Sequence, residues 1–243
     1  FYRPGRWTEE TIQAEHDFLR DLEEMEIPVV APIPLTDGGT IGEIDGIYFS
    51  IFPSFGGRAP EELDREKLEV LGRYLGRMHN VGAIKEDNRR VRLTPTSYGE
   101  ANLHFLLENE FIPSSLRENY EITVQSLLKY MEPLFLDISY LRVHGDCHLR
   151  NLLWTPGGPT FLDFDDMVMG PAVQDIWMLV PSYDTYGQQD REILLDAYQT
   201  FRDFDRRELR LIEPLRTLRF LHYSAWIARR WDDPIFKETF NYF

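Results

Sequence analysis

Residues 140–175 read YLRVHGDCHLRNLLWTPGGPTFLDFDDMVMGPAVQD, and the way apolar runs alternate with Gly and Pro turns in them decides the fold. The stretch predicts a short strand over 140–143 ending at a polar turn, a second strand over 152–154, and a tight turn at Pro156-Gly157-Gly158-Pro159. A return strand over 160–164 and a helix starting near Gly170-Pro171 complete it. Asp146 and Asn151 stand five apart on the first loop, and Asp163 lies on the return strand, which the hairpin folds back beside Asn151. Three oxygen-bearing side chains therefore converge.

That donor set suits a hard divalent cation carrying phosphate. Mg²⁺ takes oxygen ligands and usually only one or two from the protein, leaving its other positions to water and phosphate. The Asp-x-x-x-x-Asn spacing, followed by an Asp on a hairpin, is the one the protein-kinase catalytic loop uses. Phosphoryl transfer asks the protein mainly for positioning and charge neutralisation, so a weakly basic Asp146 suffices to accept the proton of the attacking hydroxyl. Two rivals share the segment. His144, Asp146 and His148 alternate and would face one way in an extended strand, as a zinc site requires. Cys147 beside two histidines has the look of a thiolate nucleophile. The zinc reading leaves Asn151 and Asp163 without a role, and Cys147 has no evident third member of a triad.

The pattern His144-Gly145-Asp146-x-His148-x-x-Asn151, then Asp163, then Gly170-Pro171-x-x-x-Asp175 resembles the aminoglycoside-phosphotransferase and choline-kinase branch of the protein-kinase-like superfamily. Together with FYRPGRW (1–7), FPSFGGR (52–58), GRYLGRMH (72–79) and GPAVQDIWML (170–179), it is similar to the bacterial stress response kinase A family of Ser/Thr protein kinases. The resemblance covers nearly the whole chain. It implies an α+β, bilobal kinase-like fold: the remainder of an ATP-binding β lobe over 1–53, a hinge over 54–58, and a mostly α catalytic lobe over 59–243. It also implies Asp146 as proton acceptor, Asn151 and Asp163 as Mg²⁺ ligands, ATP as co-substrate, and His144 and Asp175 as structural support of the catalytic loop.

Upstream, Thr8 predicts an N-cap, with Glu9 and Glu10 favouring the dipole of a helix running to about Met25. Its stripe Ile12, Glu15, Leu19, Leu22 puts a carboxylate on the apolar face, where it either pairs with a cation or reaches solvent at the helix edge. By position Glu15 fits the kinase glutamate that pairs with the phosphate-binding Lys. In the resembled family that Lys lies just before the FYRP segment. It is not among these 243 residues, nor is the phosphate-covering loop. Lys85, beyond the hinge, is no substitute. The start at Phe1, on what looks like a strand's end, suggests an N-terminal truncation and weak nucleotide binding by this chain alone. The run 39–53 predicts a hairpin turning at Asp45-Gly46, with 48–52 a buried strand leading into the hinge. The resemblance makes Ile51, Phe52 and Pro53, with Ser54, candidates for meeting adenine.

Helices follow. Leu68, Leu71, Leu75 and Met78 mark one, with His79 a packing or capping group at its end. Leu116, Tyr120, Val124, Leu127 and Met131 mark another, opened by a capping box at Ser115 and Glu118. Further helices are predicted over 173–180, 191–204 and 208–231, the last carrying Arg216, Arg219, Arg229 and Arg230, which either meet an acidic partner or, the favoured reading, solvate that face. Only seven residues separate Asp163 from Pro171, and Asp165 stands where an Asp-Phe-Gly motif has Gly, so a phosphorylatable activation loop is not the expected switch.

Composition narrows the partners. Lys and Arg number 26 against 41 Asp and Glu, a net charge of −15, which argues against a nucleic-acid surface. No apolar run approaches the roughly 18 residues of a membrane span. The single Cys leaves no intramolecular disulfide, and no signal peptide is visible, so a cytoplasmic monomer is expected. The acceptor is a Ser/Thr protein or a small hydroxylated metabolite. An inactive kinase-like binding module is the reading from a different class.

Overall fold

The computed structural model describes residues 1–232 and divides the chain into two compact units, 1–91 with 139–205, and 92–138 with 206 onward. The first unit opens with helix α1 (Glu9–Glu24), where Thr8 and Thr11 form a reciprocal capping box. The chain then makes the two-residue hairpin of β1 (Gly42–Ile44) and β2 (Ile47–Phe49), turning at Asp45-Gly46 as expected. The Tyr2 N–H bonds the Tyr48 carbonyl at 2.8 Å, so the FYRP segment runs beside β2.

The strand over 48–52 is shorter and less buried than its sequence suggests. Pairing ends at Gly42 with Phe49, so the residues beyond lose their ladder, and Ile51 and Phe52 are 49% and 40% exposed. The chain is tied again at Arg58, which exchanges backbone hydrogen bonds with Trp154 (3.2 and 2.8 Å).

Helix α2 (Arg65–Gly82) starts at the Asp64 cap and packs along α6 (Thr185–Tyr198). At Gly72 the two backbones meet so closely that a β-carbon there would lie 2.2 Å from the Leu194 carbonyl. The sequence reading starts α6 too late, at 191. Asp184 caps it by accepting the Gly187 N–H at 2.8 Å, and the helix ends at Tyr198.

Two further antiparallel pairs flank the 144–151 loop. β4 (Leu152–Thr155) pairs with β5 (Gly158–Phe161) through a turn at Pro156-Gly157. The return strand therefore ends at Phe161, and Asp163 stands beyond it with φ +62°, not on it. β3 (Leu141–Val143) pairs with β6 (Val168–Gly170), a strand the sequence reading missed. Helix α5 (Val173–Leu179) follows β6.

The second unit is helical: a π-helical turn over Pro95–Glu100, α3 (Ala101–Glu108), α4 (Arg117–Met131) and α7 (Ile212–Ala228). The capping box at Ser115 does not form. A turn from the Leu116 N–H to the Pro113 carbonyl delays α4 to Arg117, without a side-chain cap. Its inner stripe runs through Val124, Leu128 and Met131, while Leu127 is exposed. The helix read over 208–231 is a 3₁₀ segment, Arg206–Leu211, followed by α7. Its arginines are held singly and do not form one solvated face. Arg219 and Arg230 lie 4.4 and 3.7 Å over the rings of Tyr223 and Trp226, Arg229 bonds Asn102, and Arg216 pairs with Glu213.

Candidate active site

The loop between β3 and β4 is held by one buried carboxylate. Asp175, at the start of α5, accepts the N–H groups of His144 and Gly145, both at 2.9 Å, and lies 3.0 Å from His79 Nε2 at zero exposure. Burial alone would raise its pKa. The hydrogen bond from His79, the His79 and His144 imidazoles and the Gly145 N–H outweigh that and hold it below the usual range. Gly145 has φ +84°, and a β-carbon there would sit 2.3 Å from the Asp166 carbonyl, so only glycine lets the loop turn here. Gln174 adds a bond from its side-chain amide to the Gly145 carbonyl (2.8 Å).

From this turn the chain presents Asp146 and Asn151. The Asn151 side-chain NH₂ donates to the Asp146 backbone carbonyl at 3.0 Å, which directs its Oδ1 the other way. Both residues are 9% exposed. The segment Leu149–Asn151 is a 3₁₀ turn, closed by the Asn151 N–H on the His148 carbonyl. His148 lies 3.5 Å from the Asp146 carboxylate, an ion pair when that imidazole is protonated.

Asp163 is brought to this loop through its neighbour. The Leu162 N–H bonds the Asn151 carbonyl (2.9 Å), and the Leu162 carbonyl accepts from His144 Nε2 (2.8 Å). Both backbone groups of Leu162 are thus fixed by the Asp146 loop, and Asp163 projects next to it, exposed. On its other side Phe164 packs on the His144 ring (4.3 Å between centroids) and on Phe18 of α1 (5.9 Å).

The arrangement bears on the two rival readings of this segment. His144 is fully buried with Nε2 committed to Leu162, and among the described residues no three His, Cys, Asp or Glu side chains gather to hold a metal. The zinc reading fails on that geometry. Cys147 is buried and its thiol is pushed well above its ordinary pKa, first by burial and then by Asp175 and Asp146, so it is not a thiolate. Asn151 and Asp163 each offer a side-chain oxygen on adjoining loops, and oxygen is the ligand type that Mg²⁺ takes.

Asp163 opens onto a cavity of about 570 Å³, also lined by Glu15, Ser50, Phe52, Pro53 and Leu153. Phe52 and Pro53 are brought to it. Ile51 is not among its lining residues, and the Ile51 carbonyl is taken by the Ile33 N–H (2.7 Å). Glu15 is 5% exposed, and burial, then the charge of Asp165, push its carboxyl up to about 8. Asp165 itself is raised to about 6, by burial and by the neighbouring Asp163 carboxyl, with the Arg6 guanidinium opposing.

His79 is the packing group the sequence reading made it, against the Tyr198 ring, but its contact with Asp175 was missed. Its Nε2 contacts Asp175, and its Nδ1 is 2.9 Å from the Tyr198 hydroxyl, all at zero exposure. The signal was available: His79 continues the i, i+4 stripe Leu71, Leu75, so its imidazole had to be buried and needed partners.

The phosphotransferase enzyme family model matches residues 1–212. Stress response kinase A of Escherichia coli strain K12 is 40% identical over 99% of this chain and 73% of that protein. The protein named serine/threonine protein kinase RdoA of Salmonella typhimurium strain LT2 is 38% identical with the same coverage. Among solved structures, amicoumacin kinase hAmiN, in complex with AMP-PNP, Ca²⁺ and Ami, superposes with TM-score 0.76 at 21% identity, covering 97% of this chain and 76% of that one. A microcompartment-associated aminopropanol kinase gives 0.64 at 21% identity, covering 93% and 75%. At such identities these structures bear on the fold, which is kinase-like and mixes helix and strand as the sequence implied. Matched over residues 1–212 and nearly end to end at 40% identity, the chain belongs to the phosphotransferase enzyme family, in the group of stress response kinase A.

Proposed function

We propose that this chain forms the catalytic core of an ATP- and Mg²⁺-dependent Ser/Thr protein kinase of the bacterial stress response, acting in the cytoplasm. One observation carries the catalytic part: Asn151 and His144 fix both backbone groups of Leu162, holding Asp163 against the loop that bears Asp146 and Asn151. Asp146 accepts the proton of the acceptor hydroxyl as its oxygen takes the γ-phosphoryl group and the bond to ADP breaks. Asn151 Oδ1 and the Asp163 carboxylate would hold Mg²⁺, which when bound neutralises charge on the phosphates. The cavity beside Asp163, with Phe52 and Pro53 on its wall, is the nucleotide site in this reading. Residues 1–53 are its ATP-binding lobe, 54–58 the hinge, and 59–243 the catalytic lobe. Glu15 is the partner of a phosphate-binding lysine. Asp175 and His144 brace the loop.

Protein as acceptor is supported by the name of the Salmonella relative. A small hydroxylated molecule is the second reading, favoured by the amicoumacin and aminopropanol kinases that share the fold. Asp146→Asn in the full-length protein tests the mechanism. It should lower kcat by ~10²–10⁴, the usual contribution of a positioned base, with an unchanged circular dichroism spectrum, and near-normal turnover would refute it. Labelled ATP offered with a generic basic protein, and separately with amino alcohols, aminoglycosides and sugars, decides the acceptor. Label only on a small molecule would select the second reading.

A further inference from the structure

The segment FYRPGRW, upstream of every residue assigned above, reaches the Asp163 loop through one side chain. The two terminal nitrogens of Arg6 bind different carboxylates, Nη1 to Asp165 at 3.0 Å and Nη2 to Asp166 at 2.8 Å. Arg6 lines the same cavity as Asp163 and Asp165, and Asp163 lies near enough to Asp165 for its charge to raise the Asp165 carboxyl. A second arginine grips the backbone of the loop. Arg90 donates to the Met167 carbonyl (2.8 Å), to the Asp165 carbonyl and to the Thr11 carbonyl of α1 (3.0 Å). Both guanidinium groups lie over the Trp7 ring, each 4.7 Å from its centroid.

Three carboxylates at 163, 165 and 166 would repel one another and pull the loop apart if none were neutralised. An exposed ion pair contributes little. Arg6 differs, because its side chain is only 24% exposed and its fork spans two acceptors, which a single ammonium cannot do. We propose that Arg6 is a positioning residue for the Asp163 loop, holding Asp165 and Asp166 so that Asp163 stays turned to the cavity. The clamp fixes in place, without phosphorylation, a loop with no long activation segment. The inference rests on the reading of Asp163 as the metal carboxylate.

The test is a mutant cycle on the full-length protein, read by kinetics and by hydrogen exchange. Arg6→Gln should lower kcat about tenfold or more, on the scale of a small misplacement of reacting groups, with KM for MgATP changed far less. Arg6→Lys, keeping the charge without the fork, should fall between. In the background Asp165→Asn with Asp166→Asn there is no repulsion to neutralise, so Arg6→Gln should cost less than about threefold there, a coupling the cycle measures directly. Amide exchange over residues 163–169 should quicken in Arg6→Gln and stay slow over α6. Equal losses in both backgrounds, or unchanged exchange over 163–169, would overturn the proposal. A wild-type protein without phosphotransferase activity would overturn the functional reading instead, and the exchange comparison would still decide the clamp.

Discussion

His79 and Asp175, 96 residues apart in the chain, meet at 3.0 Å in an interior where neither side chain has any exposure. Through Asp175 that contact reaches the His144 and Gly145 N–H groups, so α2 and α5 together hold the turn that presents Asp146. Removing the carboxylate strands two backbone donors and an imidazole. Asp175→Ala is expected to destabilise by ~3–5 kcal/mol, the range for breaking a buried pair. Urea unfolding of Asp175→Ala, His79→Ala and the double variant should give a coupling above about 0.5 kcal/mol. Additive losses would mean the two residues act separately.

Asp163 offers the opposite case, a residue whose replacement should spare the fold. It is exposed and sits at φ +62°, a region Asn tolerates almost as well as any residue but Gly. Asp163→Asn should keep stability within about 0.5 kcal/mol of wild type, as surface substitutions do. Calorimetric titration with Mn²⁺ and AMP-PNP should show binding weaker by roughly tenfold or more, the scale of lost metal-site support. Unchanged affinity would remove Asp163 from the metal site.

What the sequence revealed here was local, and what it hid was long-range. Asp146, Asn151 and the β4–β5 turn lie within a dozen residues of one another, so spacing and Pro156-Gly157 were enough to read them. β6 is three residues, Val168, Met169 and Gly170, whose only reason to be a strand is β3, where Val143 pairs with Val168 and Leu141 with Gly170, and no local pattern encodes that partner. The same holds for His79 with Asp175. Asp163 was read as part of a strand because Leu162 and Phe164 flank it with apolar residues, yet pairing stops at Phe161 and the Leu162 carbonyl turns to His144. Helix starts were missed where two signals competed. Ser115 looks like a cap but the Pro113 turn precedes it, whereas Asp184 caps α6 a full turn and more before the first clear apolar repeat.

Gly145 turns the loop that bears Asp146 at a point where no side chain fits. A β-carbon would meet the Asp166 carbonyl at 2.3 Å, a backbone atom that cannot swing aside, and φ +84° adds roughly 1–2 kcal/mol for any L residue. Gly145→Ala should therefore destabilise by about 2 kcal/mol or more and separate the Asp146 loop from the Asp163 loop. Chemical denaturation alongside turnover checks both effects. A variant as stable and as active as wild type would contradict the packing described.

Glu15 gives the stability curve a slope that a single substitution should remove. Burial, reinforced by the Asp165 charge, raises its carboxyl from an ordinary 4.5 to about 8. The unfolded chain releases this proton near 4.5, so between there and about 8 the folded state binds more protons than the unfolded one, and stability falls as pH rises. Below that window both states are protonated and the penalty vanishes. Above it the folded protein carries the charge at its full desolvation cost. His16 tilts the other way, its imidazole lowered to about 4 by burial, so that stability falls as pH drops from 6.5. Comparing Glu15→Gln with wild type cancels His16 and isolates Glu15. The difference in Tm should be near zero at acid pH and grow through neutrality. It should reach at least ~2–4 °C in favour of Glu15→Gln by pH ~8, the shift that about 1 kcal/mol produces in a chain of this size. Melting curves of the two proteins that run parallel from pH ~5 to ~8 would show that Glu15 is not carried as a buried acid.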